Sequence, residues 1–78
     1  MEKYGYEKSN LTGLEYCLKE HVRVVDPKQQ KLYVKKEVYP VDMYTTLDEN
    51  TGEVKLVMIF SKRDTKDLYI LWKNRELE

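Results

Sequence analysis

Seventy-eight residues with fourteen Lys and Arg against fourteen Asp and Glu make one small domain, 1–78, with no net charge, and a 41% apolar fraction is enough for a globule. A chain this short buries only about 60% of its unfolded surface, which leaves little room for a deep catalytic cleft beside a core. Balanced charge argues against a strong non-specific hold on nucleic acid, and the longest apolar run, Leu56 to Phe60, is too short to span a bilayer.

The polar start, Met1 to Lys8, does not read as a signal peptide, and residues 1–8 are expected to be a loose tail. Thr12-Gly13-Leu14-Glu15 has the form of a helix capping box, Thr12 at the cap and Glu15 three residues on. Leu14, Cys17, Leu18, His21 and Val22 then recur at helical spacing, which predicts a short helix over about 13–21. The β-branched run 22–25 predicts a strand. Asp26-Pro27-Lys28-Gln29 suits a type I turn with Pro at its second place. Leu32 to Val38 alternates well enough to predict a strand over 31–38, and Pro40 puts it at an edge or corner.

The best-supported stretch is 41–61. Asn50-Thr51-Gly52 separates two apolar runs, and Gly52 can take the positive φ that a four-residue hairpin loop needs. With the loop at Glu49 to Gly52, Leu47 faces Val54, Thr45 faces Leu56, Met43 faces Met58 and Val41 faces Phe60. All eight then point to one side, and seven of them are apolar. A one-residue slip would send the rows to opposite faces, so the pattern selects its own register. The other side is polar near the turn and apolar lower down, which suits a central strand covered on both faces. Asp42 beside Ile59 is the weak spot of this register. Strands over 41–48 and 53–61 are followed by alternation in Leu68, Ile70 and Trp72, which predicts a last strand over 67–73, and residues 75–78 are expected to be loose.

The expected fold is therefore α+β: one N-terminal helix packed on an antiparallel meander of about five strands, 22–25, 31–38, 41–48, 53–61 and 67–73. The alternative is a small all-β barrel with SH3-like or OB-like closure.

Little in the sequence points to catalysis. Cys17 is the only cysteine and His21 the only histidine. On a helix they would face the same way and could form a thiolate–imidazole pair, but a buried small apolar Cys17 is the simpler reading. Structural zinc sites draw four ligands mainly from Cys and His, so no metal and no cofactor is expected. The three glycines are scattered, which excludes a Gly-rich phosphate loop, and no pair of carboxylates is singled out. A lone cysteine also makes the reducing cytoplasm the default setting.

Seven tyrosines are the unusual feature. Tyr33, Tyr39, Tyr44, Tyr69 and Trp72 all fall on or beside the predicted strands, and Tyr and Trp are enriched at protein interfaces. The reading is a non-enzymatic domain, an inhibitor or accessory subunit, that binds another protein through a tyrosine-bearing sheet face or an edge strand. A homodimer is compatible with the exposed edges of a meander. The alternative is single-stranded nucleic acid held by the same aromatic surface with Lys35, Lys36 and Lys73, since small barrels combine aromatic platforms with cations for that purpose. No membrane partner is expected.

Overall fold

The computed structural model describes residues 5–78; Met1 to Tyr4, half of the tail expected to be loose, lie outside the described residues. In chain order the elements are β1 (Tyr6–Lys8), β2 (Glu15–Cys17), a 3-10 turn (Leu18–Glu20), β3 (His21–Val24), α1 (Pro27–Lys35), β4 (Asp42–Asp48), β5 (Glu53–Ser61) and α2 (Lys62–Lys73). The fold is α+β, with two antiparallel sheets: β1 pairs with β2, and β5 lies between β3 and β4. Neither sheet closes, so the barrel alternative is set aside.

The β4–β5 hairpin has the expected register for three of the four pairs: Leu47 opposite Val54, Thr45 opposite Leu56, Met43 opposite Met58. The ladder stops at Asp42, and Val41, expected beside Phe60, packs instead with Tyr16, Val57 and Ile59. Its loop is closed by the Gly52 N–H donating to the Asp48 carbonyl at 2.7 Å, with Gly52 at φ 76°. The Asp48 side chain accepts the Asn50 N–H at 3.0 Å, a local Asx turn. The second neighbour of β5 is β3, with Val22 opposite Phe60 and Val24 opposite Met58. A simple meander through 67–73 is thus replaced by a sheet whose third strand comes from earlier in the chain.

Three predicted elements change type, each for a local reason. The helix expected over 13–21 is instead a turn, β2 and the 3-10 turn. The Thr12 hydroxyl accepts the Leu14 N–H, two residues on, at 3.1 Å, and Gly13 takes φ 77°, outside the helical region. The strand expected over 31–38 is α1. Asp26 is its N-cap, accepting the N–H groups of Lys28 and Gln29 at 2.9 and 3.3 Å, and Pro27 occupies the first turn, where its missing N–H costs nothing. The strand expected over 67–73 is the C-terminal half of α2, which follows β5 without a loop; Thr65 donates back to the Ser61 carbonyl at 2.9 Å. Five consecutive apolar residues, Leu68 to Trp72, satisfy either period, and the helical one wins because Thr65, Leu68 and Trp72 turn to the sheet together.

Both helices end in the same way. The Val38 N–H reaches the Tyr33 carbonyl, and the Glu76 N–H reaches the Leu71 carbonyl, the six-to-one bond of a Schellman motif. The residue in the left-handed position is Glu37 at φ 65° in one and Arg75 at φ 60° in the other. The second of these turns steers the tail back, so that Leu77, within the stretch expected to be loose, is buried in the core. At the other end, Tyr6–Lys8 are likewise held, paired to Glu15–Cys17.

The three-stranded sheet has cover on both faces. On one face Val24, Leu32, Tyr33, Phe60 and Leu77 form the larger core, with Val22, Met58, Leu68, Leu71 and Trp72 packed on it. Tyr33 and Phe60 meet edge to face, their centroids 5.1 Å apart. On the other face Tyr16 of β2 lies on Val57 and Ile59. The result is three layers: helices, central sheet, N-terminal hairpin. Gln30 of α1 stitches the first two, donating through one side-chain nitrogen to the carbonyls of Val24 and Leu56 at 2.9 and 2.8 Å.

Candidate binding surfaces

Asp42, the weak spot of the register, is the anchor of the third layer. It stands opposite Ile59 on the face that the N-terminal hairpin covers, and it is only 2% exposed. One carboxylate oxygen accepts the Tyr16 hydroxyl at 2.7 Å. The other accepts the Asn10 N–H at 2.7 Å, the Asn10 side-chain amide at 3.1 Å and the Met43 N–H at 2.9 Å. Ser9, also buried, donates to the Val41 carbonyl and accepts the N–H groups of Leu11 and Thr12 at 3.0 Å each.

Burial alone would raise the Asp42 pKa, but the hydrogen bonds from Tyr16, Asn10 and Met43 outweigh it and hold the carboxyl below its ordinary value. Burial, then the bond to Asp42 and its charge, pushes the Tyr16 phenol well above its ordinary value. The pair is therefore a carboxylate and a neutral phenol across the working pH range. Both oxygens of Asp42 are occupied, so it serves as a tie between layers.

A cleft of about 630 Å³ opens beside this tie, lined among others by Glu7, Lys8, Arg23, His21 and Tyr44. His21 Nδ1 lies 2.7 Å from the Cys17 carbonyl oxygen, which can only accept, so this nitrogen carries the proton. Tyr16 and His21 rings are 5.0 Å apart. The imidazole thus engages the Cys17 backbone, and the shared helical face that would have made a thiolate pair does not form. Among the described residues no group of three or more His, Cys, Asp or Glu side chains converges as a metal site requires.

The aromatic residues expected on one sheet face are dispersed. Tyr33 is 1% exposed, on α1, and its hydroxyl accepts the Gln29 side-chain amide at 3.0 Å; it belongs to the core and is withdrawn as a binding residue. Tyr39 is well exposed in the connection after α1, and Tyr44 of β4 faces the cleft. Tyr69 and Trp72 are on α2, not on a strand. Lys35 and Lys36 end α1, exposed and outside the lining of the groove that holds Lys73. Lys73 does join Tyr69 and Trp72: its Nζ stands 5.9 Å from the Tyr69 ring centroid, and a groove of about 480 Å³ collects all three with Lys28, Arg75 and Leu77.

The surface that sequence reasoning passed over is apolar. Among the described residues the cover over the sheet thins past Met58, and the same side-chain row becomes exposed: Leu56, then Leu47 opposite Val54, 59% and 69% exposed. β4 is also an edge strand, with β5 as its one neighbour in the sheet. The signal was present, since Leu47 and Val54 sit next to the polar loop, farthest from any partner element along the hairpin.

No protein-family model, curated protein or solved structure matches this chain. Among the described residues no helix is long and apolar enough to cross a membrane.

Proposed function

We propose that the protein is a non-enzymatic protein-binding domain, acting as a small inhibitor or accessory subunit, and that it docks its partner on the distal half of the β4–β5 hairpin. The observation that carries this reading is the uncovered apolar row Leu47, Val54 and Leu56, continuous with a face that the helices bury a few residues away. Single exposed apolar residues are ordinary, but three in one cross-strand cluster on an edge hairpin make a contiguous surface. The adjacent edge of β4 supplies backbone donors and acceptors for a strand from the partner, so main-chain bonds and apolar contacts act together. Tyr44, exposed on the opposite face of β4, adds an aromatic contact that a strand laid along this edge can reach.

The test is affinity capture with the wild-type chain beside a Leu47→Ser, Val54→Ser variant. Both positions are exposed, so the variant keeps its thermal midpoint. A protein retained by the wild type and lost by the variant supports the reading. Equal retention by both moves the contact elsewhere. Sedimentation of the two forms covers self-association: a wild-type dimer that the variant dissolves would make the partner a second copy, joined edge to edge.

A further inference from the structure

We propose that the groove at the C-terminal end of α2 is a second site, one that takes a segment of single-stranded nucleic acid. Its lining is Lys28, Lys73, Arg75, Tyr69, Trp72 and Leu77: three cations, two aromatic rings, one aliphatic, and no acid. In a chain with zero net charge, such a concentration of one sign is local; Glu76 and Glu78 alternate with Arg75 and Leu77 in the tail but are not part of the lining. The Asp26 carboxylate, nearest in sequence to Lys28, is committed to the first N–H groups of α1. Three cations around one concavity repel one another, and an anion entering it relieves that repulsion.

Arg75 stands at the turn that ends α2. Arg75 holds φ 60°, the left-handed position of the helix terminus, where glycine would be cheaper. The constraint at this position is backbone geometry, and the residue standing there is one that geometry disfavours, with its side chain in the groove lining. Glu37 holds the equivalent position at the end of α1, so the backbone alone assigns no role. What distinguishes Arg75 is its guanidinium in the groove lining, and phosphate is the anion that a planar fork of donors fits best.

The rings decide between a bare phosphate and a nucleotide. Tyr69 is half exposed, and Trp72, partly buried against the core, also lines the groove. A base stacked there, with its phosphates on Lys28, Lys73 and Arg75, uses every side chain of the lining. The bases of a duplex are stacked on each other and out of reach of such a platform, which selects a single strand. Lys73 lies over the Tyr69 ring, so the base displaces it toward the phosphates.

Trp72 is the only tryptophan in the chain, so its fluorescence reports the site directly. A labelled oligothymidine titrated at low salt should raise anisotropy and quench Trp72 with the same midpoint. The logarithm of affinity should fall with the logarithm of salt at a slope of about −2, since each of three phosphates contributes about −0.7. Lys28→Glu and Lys73→Glu, both exposed, should each lose about tenfold in affinity with unchanged thermal midpoints. Arg75→Gly should bind more weakly while unfolding no earlier than wild type, a combination that a purely structural role would not produce. Absence of an anisotropy change at low salt overturns the proposal. So does binding that survives both charge reversals, which places the oligonucleotide elsewhere. Saturation by a phosphorylated peptide with no quenching by oligothymidine also overturns it, in favour of a phosphate site for protein.

Discussion

The two halves of β5 have the same alternation and the same class of side chain, and they end in opposite surroundings. Val57, Ile59 and Phe60 are buried, between the helices on one side and the N-terminal hairpin on the other. Val54 and Leu56, four and two residues short of Met58, are exposed on the very face that Phe60 occupies. Register decides which face a residue takes. Whether that face is covered depends on how far the neighbouring layers reach, and here α1, α2 and the N-terminal hairpin stop at about the middle of the strand. One strand therefore serves as core at one end and as an available surface at the other.

The largest effect expected on the covered half is from Phe60→Ala, which removes a fully buried ring that Tyr33 meets edge to face. It should cost about 3–5 kcal/mol, read as a lowered urea midpoint. Deletion of the same kind in the bare half, Val54→Ala, should cost less than about 0.5 kcal/mol by the same measurement. If the two costs were similar, the contrast drawn between the halves would be wrong.

Next in size is the tie that holds the N-terminal hairpin on the sheet. Tyr16→Phe leaves one Asp42 oxygen buried and unpaired and should cost about 1–3 kcal/mol, with exchange of the β1 and β2 amides rising more than that of β5. The same pair sets a pH dependence at both ends. The Asp42 pKa is lowered by folding, so its contribution is present above the ordinary carboxylate range, about 4, and is lost as pH falls through the folded value. The Tyr16 pKa is raised by folding, so its contribution is present below about 10 and is lost as pH rises toward the folded value. Thermal midpoints measured across pH should show Asp42→Asn flattening the acid limb and Tyr16→Phe flattening the alkaline one.

The smallest effect is a gain. Glu37 carries a side chain at φ 65° where α1 ends, outside the groove at the end of α2, and Glu37→Gly should raise stability by about 0.5–1 kcal/mol. Set beside Arg75→Gly, it separates a left-handed residue whose side chain is dispensable from one whose side chain the groove uses.

Asp26-Pro27 shows how a helix start was legible and misread. A cap residue followed by Pro suits both a type I turn and the first turn of a helix, and the alternation of Leu32, Val34 and Val38 tipped the balance toward strand. In the folded chain Leu32 and Tyr33 are adjacent and both buried, a pairing that a strand on a one-sided core cannot give and a helix can. The Asp42 anchor was legible only as a misfit, a carboxylate on an otherwise apolar row. Its partners Asn10 and Tyr16 lie more than twenty residues away, and no spacing rule connects them. The groove at the end of α2 gathers Lys28 from the other helix, and only the packing of the two helices brings that cation to Lys73 and Arg75.

The amino-acid sequence by itself determined the hairpin at the centre: its loop, its register and its central strand apolar on both sides. Those features are local, since alternation with period two and one glycine-bearing turn specify them from neighbours in the chain. The cover over each face was decided in three dimensions. Leu68 to Trp72 are apolar at every position, and Thr12 to Glu15 satisfy a cap without forming a helix, so local preference leaves both segments undecided. Long-range contacts then choose: α2 closes the core over Phe60, Asp42 draws the N-terminal hairpin onto the opposite face, and among the described residues no element extends to the far end of β4–β5.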